Sequence, residues 1–73
     1  MLTVYLKMRF FTFKDAPHLP PNTAAVSGSD PEWSNGGVTM TTEQYFNEDG
    51  KQLDGKSVRL FIPTSKIDHA ITE

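Results

Sequence analysis

Glu48-Asp49 is the one adjacent carboxylate pair in this chain of 73 residues, and paired carboxylates are what general acid–base chemistry uses. Their neighbour is Gly50, so both acids read as turn residues facing solvent rather than as an acid and a base. Asn47, Asp49 and Gly50 have the spacing of part of a calcium loop. The same alignment puts Tyr45 at the first ligand position and Lys56 where a bidentate glutamate belongs. Zinc lacks a donor set, because His18 and His69 are the only histidines and there is no cysteine. Ser27, Ser29 and Ser34 have no base near them in sequence, and Ser27-Gly28-Ser29-Asp30 lacks the lysine of a phosphate-binding loop. The residues therefore predict no enzyme, no catalytic or metal-binding set and no cofactor.

Binding is the chemistry that remains. Trp33 is the only tryptophan, set in Asp30-Pro31-Glu32-Trp33-Ser34-Asn35, and tryptophan is enriched among interface hot spots. Two placements are open to it. It can fold back to plug the end of the sheet, or it can turn outward to a partner or a second copy. In the outward reading Trp33 and Leu19 are hydrophobic anchors, with Asp30, Glu32 and His18 as the polar rim. His18, among Pro17, Pro20 and Pro21, is otherwise an exposed loop residue. His69 reads as partly buried with a hydrogen-bond partner.

Net charge is −2 but unevenly spread: residues 1–14 carry +3, residues 15–54 carry −6 and residues 55–73 carry +1. An acidic middle repels phosphate, which weighs against the electrostatic binding that nucleic-acid proteins use. The alternative function is still a nucleic-acid-binding small barrel. It would set Lys7, Arg9, Arg59 and Lys66 against phosphate, with Tyr5 or Phe11 stacking on bases.

These residues need elements to position them. Leu2, Val4, Leu6, Met8 and Phe10 alternate with Thr3, Tyr5, Lys7 and Arg9, which predicts a strand with one apolar face. Phe11 and Phe13 then fall on the other face, through a bulge or because both faces are covered there. Lys14 to Gly37 holds four of the five prolines and no clear periodicity, and it reads as a long Pro-rich loop. Asn35-Gly36 marks a turn into a second strand over Val38–Phe46. Asp49-Gly50 marks a hairpin tip, and Asp54-Gly55 a bulge or further turn. Val58, Leu60 and Ile62 alternate inward in a third strand that Pro63 ends or places at an edge. Thr64 to Glu73 fits either periodicity. The favoured reading is a short turn followed by a strand, because a short helix at a chain end is marginal.

The sum is a single mainly β domain over residues 1–73: an antiparallel sheet of four to five strands, curled or closed as a small SH3-like barrel. His69-Ala70-Ile71-Thr72 resembles the His-Ala-Ile-Ser/Thr end of the second Sm motif in bacterial Hfq-type RNA chaperones. The resemblance covers four residues and implies a small barrel that assembles into rings. In that family a lysine precedes the histidine and both contact RNA. Here the preceding residue is Asp68, and the family's amino-terminal helix has no counterpart.

A chain this short is near the lower limit for one unstapled core, and an oligomer would bury the surplus aromatic surface. No run of 18 apolar residues suggests a membrane helix, Lys7 and Arg9 interrupt the only stretch like a signal peptide, and the lack of cysteine fits a reducing compartment. The expectation is a cytoplasmic protein-binding module, an accessory or inhibitor protein or a homo-oligomer, with the general character of small bacterial or phage proteins. It would act through strand edges and the 14–37 loop.

Overall fold

The computed structural model describes residues 1–7 and 19–72. Six strands form one antiparallel sheet: β1 (Leu2–Leu6), β2 (Ala25–Ser34), β3 (Gly37–Phe46), β4 (Gln52–Leu53), β5 (Arg59–Pro63) and β6 (Ile67–Thr72). The spatial order is β4-β3-β2-β1-β6, and β5 also pairs with β3. Connectivity forces the curl. In a flat sheet β5 and β6 would lie four strand spacings apart, about 19 Å. Only a 3-10 turn, Thr64–Lys66, joins them, and it advances about 2 Å per residue. The ends can meet only if the sheet rolls up, and it forms the curled half-barrel that the sequence predicts. Pro63 ends β5, and the final segment is a turn followed by a strand, both as expected.

Alternation sorts the side chains. Leu2, Val4 and Leu6 of β1, Val26 of β2, Val38, Met40 and Tyr45 of β3, and Ile62 of β5 fill the inner face, joined by Leu19. Leu60 is only partly buried against this core, and Val58, just before β5, is partly buried as well. Met8, Phe10, Phe11 and Phe13 lie outside the described residues.

The expected loop over 14–37 needs correction, because its second half is the strand β2. Three local features hid that strand. Gly28 is an inner-face residue, and a Cβ there would stand 2.1 Å from the Thr41 carbonyl oxygen, so only glycine lets β2 approach β3 so closely. Asp30 has φ 51°, and the register with β3 shifts between Ser29 and Glu32. Pro31 sits in that bulge, where a strand needs no N–H from it. Beyond the bulge β2 resumes pairing, Glu32 with Thr39 and Trp33 with Val38.

Turns follow the predicted dipeptides with different backbones. Asn35-Gly36 joins β2 to β3, yet neither has positive φ; the next residue, Gly37, has φ 156°. Asn47 organises the β3–β4 turn: its Oδ1 accepts from the N–H groups of Asp49 and Lys51, both at 2.9 Å, and Gly50 takes φ 81°. Asp54-Gly55 is not a turn. It lies in a stretch without regular secondary structure where Gly55 faces the Tyr45 ring, and a Cβ at that position would be 2.5 Å from the ring.

One polar chain crosses the core. Val58 N–H donates to Thr42 Oγ1 at 2.8 Å, and the Tyr45 hydroxyl donates to the Lys56 carbonyl at 2.6 Å. Thr42 Oγ1 and the Tyr45 hydroxyl oxygen are 2.7 Å apart. Thr42 Oγ1 also lies 3.1 Å from the Val58 carbonyl, so its hydroxyl has partners in both Tyr45 and the 56–58 segment. This chain holds the 56–58 segment to β3.

Candidate protein-interaction surface

The far end of the β2–β3 hairpin carries most of the residues singled out from the sequence. Pairing places Trp33 opposite Val38, and Val38 opposite Ile62, so all three project from the inner face. Val38 and Ile62 are fully buried, whereas Trp33 is 57% exposed. Trp33 is thus the outermost member of an inner-face row, at the open end of the half-barrel. The reading in which it plugs the sheet does not hold.

The next row projects from the outer face: Glu32, Thr39 and Phe61. Phe61 is 46% exposed, near the Gly36 backbone: a Cβ on Gly36 would be 3.5 Å from its ring. One hairpin end therefore shows solvent a large aromatic on each face. No sequence pattern singled out Phe61 for this role, because Val58, Leu60 and Ile62 predict only that it faces outward.

Arg59 braces this end. Its Nη1 donates to the Asp30 carbonyl at 2.8 Å and to Thr41 Oγ1 at 2.9 Å, and its Nη2 lies 3.3 Å from Glu32 Oε1. The guanidinium thus spans the β2 bulge from β5, two strands away. Asp30 and Glu32 are exposed, Glu32 on the opposite face of β2 from Trp33. Leu19 is not an anchor for a partner: it is 5% exposed and packs in the core, where its apolar side chain is worth more. His18 lies outside the described residues.

The cations of the nucleic-acid alternative do not converge. Lys7 N–H donates to the Lys66 carbonyl at 3.0 Å, which places these two residues together beside the 3-10 turn. Arg59 lies at the opposite end of β5, about 13 Å along the strand from that turn, and its guanidinium is engaged within the hairpin. Arg9 lies outside the described residues.

A second feature lies on the outer face, where two residues singled out separately in the sequence meet. Tyr5 and His69 pair across β1 and β6, and their rings stack with centroids 4.5 Å apart and planes 14° from parallel. His69 is exposed rather than partly buried, with Asp68 Oδ2 3.2 Å from its Nδ1. On the other side of Tyr5 a groove of about 440 Å³ runs over β1, β2 and β3.

Among the described residues no cluster of three or more histidine, aspartate or glutamate side chains could hold a metal ion, and no helix is long and apolar enough to cross a membrane. Comparison with protein-family models, with curated proteins and with solved structures finds no match to this chain.

Proposed function

We propose that this chain is a small non-enzymatic protein-binding module, an accessory or inhibitor protein that meets another protein with the end of its β2–β3 hairpin. The observation that carries this reading is Trp33: its row belongs to the core, and its indole stands in solvent. Phe61 extends the apolar surface to the opposite face. The Arg59 brace holds the hairpin in shape before binding, which reduces the ordering cost of association. Among the described residues no further strand pairs with the outer edges of β5 and β6, which leaves them open to strand addition by the same partner. A reducing, cytoplasmic setting suits a module that uses no disulfide.

The test compares wild type with Trp33→Ala as baits, together with light scattering coupled to size exclusion. A partner retained by wild type and lost by an equally folded Trp33→Ala supports the reading. A monodisperse oligomer that Trp33→Ala dissociates would make the partner a second copy. Identical capture by both baits, with both proteins monomeric, overturns it.

A further inference from the structure

The chain has three asparagines, Asn22, Asn35 and Asn47, and the fold treats them differently. Asn47 is held, because its Oδ1 accepts from the N–H groups of Asp49 and Lys51, both at 2.9 Å. Asn22 precedes Thr23, whose β-branched side chain crowds the peptide nitrogen between them and whose hydroxyl donates to the Pro20 carbonyl at 2.6 Å. Asn35 precedes Gly36, and both are exposed in the turn between β2 and β3. Among the described residues nothing hydrogen-bonds the Asn35 carboxamide or accepts from the Gly36 N–H. The Gly36 carbonyl alone is engaged, accepting from the Thr64 N–H at 2.8 Å. The peptide nitrogen that follows Asn35 therefore has no Cβ beside it and no acceptor to hold its proton, and the carboxamide next to it is untethered.

We infer that Asn35 is a site of spontaneous deamidation, with the Gly36 nitrogen as nucleophile and water as the only other reactant. The Gly36 nitrogen bonds to Asn35 Cγ and closes an imide ring, and Nδ2 leaves as ammonia with the proton that Gly36 gives up. Water then opens the imide, its hydroxyl going to a carbonyl carbon and its proton to the nitrogen. Nothing is oxidised or reduced; a carboxamide and water become a carboxylic acid and ammonia. Cleavage of the new bond to Cγ leaves an aspartate. Cleavage of the original peptide bond routes the main chain through the side chain, longer by a methylene. Both products put a new carboxylate in a hairpin end that already carries Asp30 and Glu32. The longer product does not fit. Gly37 packs so closely on the next strand that a Cβ there would collide with the Ile62 carbonyl, so the added length falls on Gly36 and on its bond to Thr64. A change confined to the turn thus loosens the tie between the start of the 3-10 turn and the hairpin that presents Trp33.

The test ages the full chain in mildly alkaline buffer, folded and in urea, and maps the products by peptide mass and by fragmentation that separates the two aspartyl isomers. In the folded chain Asn35 should convert within about tenfold of its rate in urea, because folding neither shields nor engages the reacting groups. It should also outpace Asn22 and Asn47 there by about tenfold or more. Gly36→Ala should keep the fold, since Gly36 lacks a positive φ and an added Cβ would make ordinary contact with the Phe61 ring at 3.5 Å. The same variant should slow conversion at Asn35 about tenfold. In the longer isomer the Thr64 amide should exchange about tenfold faster or more than in Asn35→Asp, which has the charge without the added length. Asn35 outlasting Asn22 or Asn47 in the folded chain overturns the inference. Conversion slowed by more than about tenfold relative to urea overturns it as well, as does an unchanged rate in folded Gly36→Ala. Equal Thr64 exchange in the two products overturns the structural consequence. If Gly36→Ala unfolds, the wild-type comparison with and without urea decides alone. None of these outcomes depends on what the hairpin end binds.

Discussion

Arg59 Nη1 donates to the carbonyl of Asp30 at 2.8 Å, tying β5 to a bulge in β2 across the intervening β3. Asp30 is the residue whose φ of 51° turns the chain out of regular pairing, so the arginine satisfies a carbonyl that the ladder cannot use. The bulge realigns β2 so that Trp33 returns to the inner-face row.

Arg59→Ala should therefore cost more than the loss of a surface ion pair. The Glu32 contact is exposed and worth about 0–1 kcal/mol, whereas the charge-assisted bonds to Asp30 and Thr41 bring the expected total to about 1.5–3 kcal/mol. Glu32→Ala alone should change stability by less than about 0.5 kcal/mol. Urea denaturation of the two variants separates these contributions.

Trp33→Ala should leave the fold intact, with a stability loss of about 1–2 kcal/mol, because at 57% exposure part of the side chain is still covered. As the only tryptophan, Trp33 should emit at a wavelength typical of an exposed indole in the free protein and shift to the blue when a partner covers it. The truncation should weaken partner binding by about 2 kcal/mol or more, roughly thirtyfold. Fluorescence and calorimetric titration check the two halves.

Tyr45→Phe should destabilise the protein by about 1–3 kcal/mol without touching the hairpin end. Removing the hydroxyl takes the short bond from the Lys56 carbonyl, while Thr42 keeps the Val58 carbonyl as an acceptor at 3.1 Å, so the 56–58 segment loses one of its ties to β3. Hydrogen exchange should show the loss first at the amides of Thr42 and Val58, which bond across that junction.

Glycine substitutions should divide sharply by location. At Gly28 an added methyl meets the Thr41 backbone at 2.1 Å, so Gly28→Ala should force β2 from β3 and cost several kcal/mol, on the order of an overpacked core. Gly50 has open space around it and only an unfavourable φ of 81°, so Gly50→Ala should cost about 1 kcal/mol. Thermal unfolding of both variants tests the ranking.

Much of the sheet was legible because local rules and the global fold agree. Leu2, Val4 and Leu6 alternate with polar neighbours and do face inward, and Pro63 stops β5 for want of an N–H. The strand β2 was not legible, because Gly28, Asp30 and Pro31 are each poor strand residues. Each is tolerated only through β3 and β5: Gly28 by the close approach of Thr41, Asp30 by the donor from Arg59, and Pro31 by the bulge. The candidate site divides in the same way. Trp33 stood out by residue type, while the meeting of Tyr5 with His69 exists only as a product of pairing between β1 and β6, at opposite ends of the chain.

By itself the sequence determined the class of the molecule: a small, cysteine-free β domain whose period-two segments each bury one face. It left the fate of Trp33 open, because residue type states what a side chain can do and not whether anything stands in front of it. Tertiary structure decided that question. The bulge at Asp30-Pro31 returns Trp33 to the row of Val38 and Ile62, and the half-barrel ends before that row is covered. A shift of one residue in the β2–β3 register would have put the indole on the opposite face.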